Sequence, residues 1–518
     1  MSAAKNKPHI IPGLGADLPE LRQARALWQA NRFDEALRLF EQAAQKYPSN
    51  LVALIDGSRA LGARFEIKRA EALLDRLLKA AGKRPEIIHL AGQSYRMIFR
   101  PDKAIACFEK VVAVSKEIPD AFLELAIQYE RRHRVAEAEA LIDECLRHEP
   151  NYLEAHLFKA RLLRRLKRDT DAELLFRRLA TEGQAHPAVQ AQAWAEIAQM
   201  QDRQGQYREA WASMLHCKQA LLPREGPIRH ESEVVLNQLN QLHDSVTAEH
   251  YRRWSAACPA DTKRTAVLTS FPRSGTTLLE QVLDAHSGLV SSDEREAFAR
   301  DIFPAIWLSA GYPSPTASAL DAAPETKLAS LRQRYFDYMS AALSEPIGPR
   351  VHLDKNPPLT LVLPGFLRLF PHTKILIALR DPRDVVISCF MQYLPLNPNS
   401  VCFLTAERTA QRYANDMGAW RKLREKIASP WLEIRYEDTV KQMEVEARRA
   451  FDFLGLPWED GVLNYRDRLK DKTVGSPTYE AVSQPLYTRA IGRWRNYEEF
   501  LAPCMEVLKP SIEAFGYE

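Results

Sequence analysis

Apolar positions follow two different rhythms along this 518-residue chain. From Leu21 to Pro223 they recur at helical spacing, in paired segments with a fixed period. Ala36, Ala70, Ala104, Ala138 and Ala172 stand 34 residues apart, and Ala210 follows after four additional residues that the loop around Gly183 and Pro187 absorbs. Four residues after each alanine comes a large apolar side chain: Phe40, Leu74, Phe108, Ile142, Phe176 and Met214. Twelve residues before each comes a small one: Ala24, Ser58, Gly92, Ala126, Ala160 and Ala198. Small residues let the two helices of a hairpin approach closely, and large ones fill the groove between hairpins. Pro48 and Pro150 stand where a second helix should stop. The register predicts six helix hairpins. Ile228 to Ala257 continue the helical pattern through Val234, Val235, Leu236, Leu239, Leu242 and Val246, and read as a connecting helix that caps the array.

Past Pro259–Lys263 the rhythm changes to short apolar runs alternating with helical stretches. Thr265 to Ser270 is β-branched and apolar enough for a buried strand. Pro272 and Gly275 then mark a turn, and Thr276 and Thr277 open a helix with Leu278, Leu279, Val282 and Leu283 on one face. A strand ending in Asp354, Lys355 and Asn356 is stopped by Pro357 and Pro358. Ile375 to Leu379 runs into the turn Arg380–Arg383 and a helix face of Val385, Val386 and Phe390. Trp431 to Arg435 is a further short strand. The alternation predicts an α/β domain with a mainly parallel sheet and ligand loops at the strands' carboxyl ends. The expected organisation is an extension over 1–20, helical repeats over 21–223, connecting helices over 224–258 and the α/β domain over 259–518.

Composition narrows the function without naming it. A hydrophobic fraction of 46% and a charged fraction of 27% are those of globular proteins. The net charge of +4 is small against 71 basic and 67 acidic residues, so bulk polyanion or nucleic-acid binding does not follow from it. The seven cysteines are odd in number and form no C-x-x-C, which argues for reduced residues. No histidine cluster has metal-ligand spacing, so no metal is expected. The N-terminal stretch lacks the apolar core of a signal peptide and no run reaches a membrane span, which predicts a cytoplasmic protein.

The turn after Thr265–Ser270 carries the chemistry. A loop ending at a helix N-terminus offers unpaired backbone N–H groups to an anion. Arg273 adds a charge, and Ser274, Thr276 and Thr277 add hydroxyls around Gly275. The lysine of the nucleotide-triphosphate loop is missing, and G-x-G-x-x-G is absent. Arg380 and Ser388 form a second candidate anion site. Glu294, twenty-one residues past Arg273, sits in a charged run that by itself reads as solvated surface.

The 34-residue register resembles the tetratricopeptide repeat family, whose arrays bind peptides or partner proteins on a concave face. Phe271-Pro272-Arg273-Ser274-Gly275-Thr276-Thr277 resembles the 5′-phosphosulfate loop of sulfotransferases. Arg380 with its spacing to Ser388 resembles their 3′-phosphate motif, and Gly492-Arg493-Trp494-Arg495-Asn496 their C-terminal nucleotide segment. The arginine in the first loop is closest to the tyrosylprotein sulfotransferase branch. The implied architecture is an α-solenoid of helix hairpins followed by a P-loop-like α/β sulfotransferase domain. The implied donor is 3′-phosphoadenosine 5′-phosphosulfate, held by Arg273, Ser274, Gly275, Thr276, Thr277, Arg380, Ser388, Tyr436 and Arg493. Glu294 matches the catalytic base, Lys355 the leaving-side lysine, Arg273 the charge-stabilising arginine, and Thr478 the position of a catalytic serine, with Ser476 a rival. Glu296 departs from the family's arginine two residues after the glutamate, although Arg300 is retained, which weakens the case for acidic tyrosine peptides. The resemblance implies a protein or peptide acceptor recruited by the repeats. A carbohydrate or small-molecule acceptor, and a repeat scaffold with an inactive transferase domain, are the alternatives. An ATP-dependent kinase is disfavoured by the missing lysine.

Overall fold

A computed structural model describes residues 17–182, 186–258, 264–469 and 488–518. It divides into two compact units, one of Ala3–Leu175 with Ser340–Pro346, the other of Phe176–Met339 with Ile347–Glu518.

In the first unit the helices follow one another as hairpins: Pro19–Gln29 and Phe33–Lys46, Leu51–Ala63 and Ile67–Ala81, Pro85–Met97 and Pro101–Val114, Pro119–Arg131 and Val135–His148, then Leu153–Arg165 and the start of Asp169–Thr181. The alanines of the 34-residue register are all fully buried, and the large residues four positions on are at most 4% exposed. Gly92 shows why its position must be small: a Cβ there would lie 2.7 Å from the Phe108 ring. The turn between paired helices has its own register. Asn31, Phe65, Phe99, His133 and Lys167, again 34 apart, all have φ between 59° and 63°. Each lets the following N–H reach back to a carbonyl five residues earlier, as Arg168 does to Leu163 at 2.9 Å.

The second unit opens with a hairpin of the same register, α1 (Pro187–Arg203) and α2 (Tyr207–Leu221), whose Ala198, Ala210 and Met214 are fully buried and whose turn uses Gly205 at φ 78°. The connecting stretch forms two helices, Gly226–Ser245 and Ala248–Ala257. The break falls at Thr247, whose N–H and hydroxyl engage His250 Nδ1 at 3.2 and 2.8 Å and cap the second helix.

The sheet has five parallel strands, β1 (Thr265–Thr269), β2 (Leu289–Asp293), β3 (Val351–Lys355), β4 (Lys374–Leu379) and β5 (Trp431–Arg435), in the order β2-β3-β1-β4-β5. Sequence patterning supplied four of them. It missed β2, because Leu-Val-Ser-Ser-Asp is short and half polar and is strand only through its pairing with β3. Helix α3 (Thr276–Asp284) follows β1 and packs Leu279, Val282 and Leu283 onto the sheet with Phe451 and Leu454. Helix α4 (Pro382–Phe390) follows β4. The chain leaves β1 for one side of the sheet and returns past it to β4, which makes the carboxyl end of β1 a topological switch point, where ligand crevices form.

Candidate active site

Each of the five strands delivers one sequence-selected residue at its carboxyl end: Arg273 after β1, Glu294 after β2, Lys355 ending β3, Arg380 after β4 and Tyr436 after β5. Parallel register brings these ends to one edge; Leu268 pairs with Lys355 on one side of β1, and Thr269 with Ile377 on the other.

The loop after β1 is held from both sides. Thr269 Oγ1 donates to the Pro357 carbonyl at 2.9 Å, and the Ser270 hydroxyl donates to the carbonyl of Ala378. Phe271, 1% exposed, meets Tyr413 and Phe403 edge-on with centroids 5.2 and 5.9 Å away. Arg273 has φ 71° and Gly275 φ 95°, so two residues of the loop are left-handed and one of them is not glycine. Gly275 has no alternative: a Cβ would stand 2.6 Å from the Tyr436 ring. Strain at a non-glycine residue held by its surroundings is what a pre-shaped binding loop requires.

The two candidate anion sites form one structure. Arg273 Nε donates to Ser388 Oγ at 3.1 Å, and Arg380 Nη1 donates to the Arg273 carbonyl at 3.1 Å. Arg380 Nη2 donates to the Ala490 carbonyl at 2.5 Å, its guanidinium lies 5.1 Å from the Tyr436 ring centroid, and its buried Nε has no hydrogen-bond partner among the described residues. A buried guanidinium with an unused donor is suited to an anion. The Gly492–Asn496 segment is fixed beside it by Asp384 on α4, whose two carboxylate oxygens accept from the N–H groups of Gly492 and Trp494 at 2.7 and 2.8 Å. Burial pushes the Asp384 carboxyl up, with Arg380 opposing. Arg383 stacks over Trp494 at 4.0 Å.

Glu294 has φ 49°, and its N–H donates to the Lys355 carbonyl at 2.8 Å. Its carboxylate accepts from Lys355 Nζ at 2.8 Å. Lys355 is fully buried and also meets Asp293 at 2.5 Å and Glu280 at 3.4 Å. Burial alone would drive its ammonium down, but the carboxylates of Glu280, Asp293 and Glu294 outweigh that and hold it well above the ordinary lysine value. Glu280, on α3, is itself fully buried and accepts from Ser291 Oγ at 2.6 Å. One residue earlier in β3, Asp354 accepts from Tyr335 OH at 2.7 Å, and burial pushes its carboxyl up to about 7.

A cavity of about 670 Å³ opens at this edge. Of the residues selected from sequence, Arg273, Gly275, Thr276, Thr277, Glu294, Arg380, Ser388, Tyr436 and Arg493 line it. Ser274 is buried and does not line it, and Lys355 reaches the cavity only through Glu294. Glu296 lines the cavity and pairs with Arg300 at 3.2 Å. Thr478 and Ser476 lie outside the described residues. Sequence reasoning passed over Glu280, Asp293 and Asp384, because a carboxylate in a helix or at a strand end has no local signature until its cation is located. It also passed over Asp202, Arg203 and Tyr207, which line the same cavity from α1 and α2. Among the described residues no three His, Cys, Asp or Glu are grouped to hold a metal ion, and no helix is long and apolar enough to cross a membrane.

The sulfotransferase family matches residues 266–460, and tetratricopeptide repeats match 27–93 and 123–188. An uncharacterized protein of Aquifex aeolicus (strain VF5) is 29% identical over 258 residues, 48% of this chain and 33% of its own length. Protein-tyrosine sulfotransferase 1 of Danio rerio is 24% identical over 263 residues, 48% of this chain and 70% of its own length. The sulfotransferase domain from the Synechococcus PCC 7002 olefin synthase is 22% identical, covering 50% of this chain and 98% of that domain at a TM-score of 0.34. The match thus spans about a third of the Aquifex protein it resembles. The chain thus matches tetratricopeptide repeats in its N-terminal part and the sulfotransferase family over 266–460.

Proposed function

We propose that the protein transfers a sulfuryl group from 3′-phosphoadenosine 5′-phosphosulfate to an acceptor hydroxyl. The observation that carries this reading is the Arg380–Arg273–Ser388 chain, which joins two anion sites into one cavity wall with Glu294 facing the same space. The donor's two phosphate-bearing positions fit this pair of sites: the loop N–H groups, Arg273, Thr276 and Thr277 for the 5′-phosphosulfate, and Arg380, Ser388 and Arg493 for the 3′-phosphate. Tyr436, over Gly275, closes the side nearest the nucleotide.

The donor supplies the sulfuryl group, and catalysis by this chain is positioning and charge stabilisation. Glu294, its carboxylate anchored on Lys355, takes the acceptor hydroxyl's proton. Lys355 is held charged by its three carboxylates and contributes to the site through Glu294, since its ammonium does not line the cavity. Arg273 steadies the charge that develops at the 5′ side.

For the acceptor we propose a tyrosine hydroxyl on a protein or peptide recruited by the repeats. Support comes from the protein-tyrosine sulfotransferase relatives and from the apolar residues Pro357, Pro358, Leu394 and Phe403 among those lining the cavity, side chains of a kind that suits an aromatic ring. Glu296, which stands on the cavity where the resemblance expects an arginine, disfavours strongly acidic flanking residues. Calorimetry with adenosine 3′,5′-bisphosphate and with ATP tests the donor reading. The bisphosphate should bind more tightly, and tighter binding of ATP would sink it. Transfer of label from the donor onto lysate fractions, proteins separated from small molecules, tests the acceptor; label confined to small molecules would remove the protein acceptor.

A further inference from the structure

Helix α1 presents Gln199, Asp202 and Arg203 to the cavity at i, i+3 and i+4 spacing, and α2 adds Tyr207. Asp202 is the best connected of these. Its Oδ1 pairs with Arg493 Nη2 at 2.9 Å and accepts hydrogen bonds from Arg493 Nε at 3.2 Å and from Tyr497 OH at 2.6 Å. Tyr497 is fully buried, with Tyr207 edge-on at 5.5 Å and Trp211 at 6.1 Å. Trp211 in turn stacks on Phe500 at 4.6 Å and 8°, and lies 4.4 Å from Phe390, the last residue of the helix that carries Asp384 and Ser388. Lys218 on α2 is buried and donates to the Gln392 carbonyl at 2.8 Å, just beyond that helix. The hairpin is therefore fastened to the very segments that form the second anion site.

We infer that this hairpin is part of the donor site, and that Asp202 is a positioning residue which aims Arg493 at the donor's 3′-phosphate. The inference rests on the donor reading above. A guanidinium on a flexible stem loses rotamer freedom when it binds an anion; a carboxylate that already holds two of its nitrogens removes much of that cost beforehand. A second account of the same contact makes the opposite prediction. Were Asp202 only a neutralising counter-ion, its removal would release the charge of Arg493 and tighten anion binding.

The readout is the ratio of affinities for adenosine 3′,5′-bisphosphate over adenosine 5′-monophosphate, measured by calorimetry on the full chain. That ratio isolates the 3′-phosphate, and a merely structural role would leave it unmoved. Asp202→Ala and the isosteric Asp202→Asn, which retains one acceptor oxygen, are expected to lower the ratio about tenfold and by a smaller factor respectively. In an Arg493→Ala background neither should lower it further, since both changes act through one contact. An unchanged or increased ratio in Asp202→Asn overturns the inference while leaving the donor reading intact. A wild-type protein with no preference for the bisphosphate would overturn the donor reading and this inference with it.

Discussion

At the scale of single residues, the buried ion cluster around Lys355 decides how Glu294 is presented. Of the three carboxylates around its ammonium, Glu294 is the partly exposed one that lines the cavity, so it is the member best placed to meet an acceptor hydroxyl there. Glu294→Gln keeps the shape and one acceptor for Lys355 but removes the base. Transfer should fall by roughly 10²–10⁴, while adenosine 3′,5′-bisphosphate affinity stays within twofold; turnover comparable to wild type would remove Glu294 as the base. Asp354 makes a second, separable prediction. Its folded value of about 7 lies above its unfolded 3.8, so between those values the native state binds more protons than the unfolded one. Stability from this group is complete below about pH 4 and is lost as pH rises through 7, at up to roughly 1.4 kcal/mol per pH unit. Asp354→Asn keeps an acceptor for Tyr335 and lacks the titration. Urea unfolding at pH 5 and pH 8 should therefore show the variant gaining on the wild type at the higher pH, and an equal gap at both would remove the assignment.

At the scale of elements, the repeat turns show a cost that the sequence hides. Five of the six left-handed turn positions are not glycine, and each such residue costs about 1–2 kcal/mol relative to its relaxed conformation. The sixth, Gly205, carries no such cost. Lys167 is exposed at φ 60°, so Lys167→Gly is expected to raise stability by roughly 0.5–1 kcal/mol, read as a higher urea midpoint; a lower midpoint would show that the lysine side chain matters more than its backbone. The helices themselves were legible because alanine at a fixed interval is a packing signal. These turns were not, since Asn, Phe, His and Lys carry no common side-chain signature and only the six-to-one hydrogen bond reveals them. Strand β2 was hidden for a related reason: its polar half is stabilised by β3, far along the chain.

At the scale of the whole molecule, the second compact unit includes the α1–α2 hairpin together with the sheet. Trp211 is the hub of that joint, touching Phe390, Phe500 and Tyr497. Trp211→Ala should cost about 3 kcal/mol and, because Phe390 ends the helix bearing Ser388, should also weaken bisphosphate binding. Thermal unfolding and calorimetry on the same variant check both. Lost stability with unchanged affinity would show that the aromatic cluster supports the unit without shaping the site.

The sequence by itself determined the helical repeats, the α/β domain, four of the five strands and the residues that stand at the strand ends. These are local quantities: periodicity, turn residues and a loop motif are written in consecutive positions. Only the tertiary structure decided which of those residues meet. That Arg273 bonds Ser388, that Lys355 is surrounded by Glu280, Asp293 and Glu294, and that Asp202 grips Arg493 are contacts between positions 61 to 291 residues apart. Charges so far apart in sequence carry no mark of their partners, because the attraction between them acts only once parallel strand register and helix packing have brought them within a few ångströms.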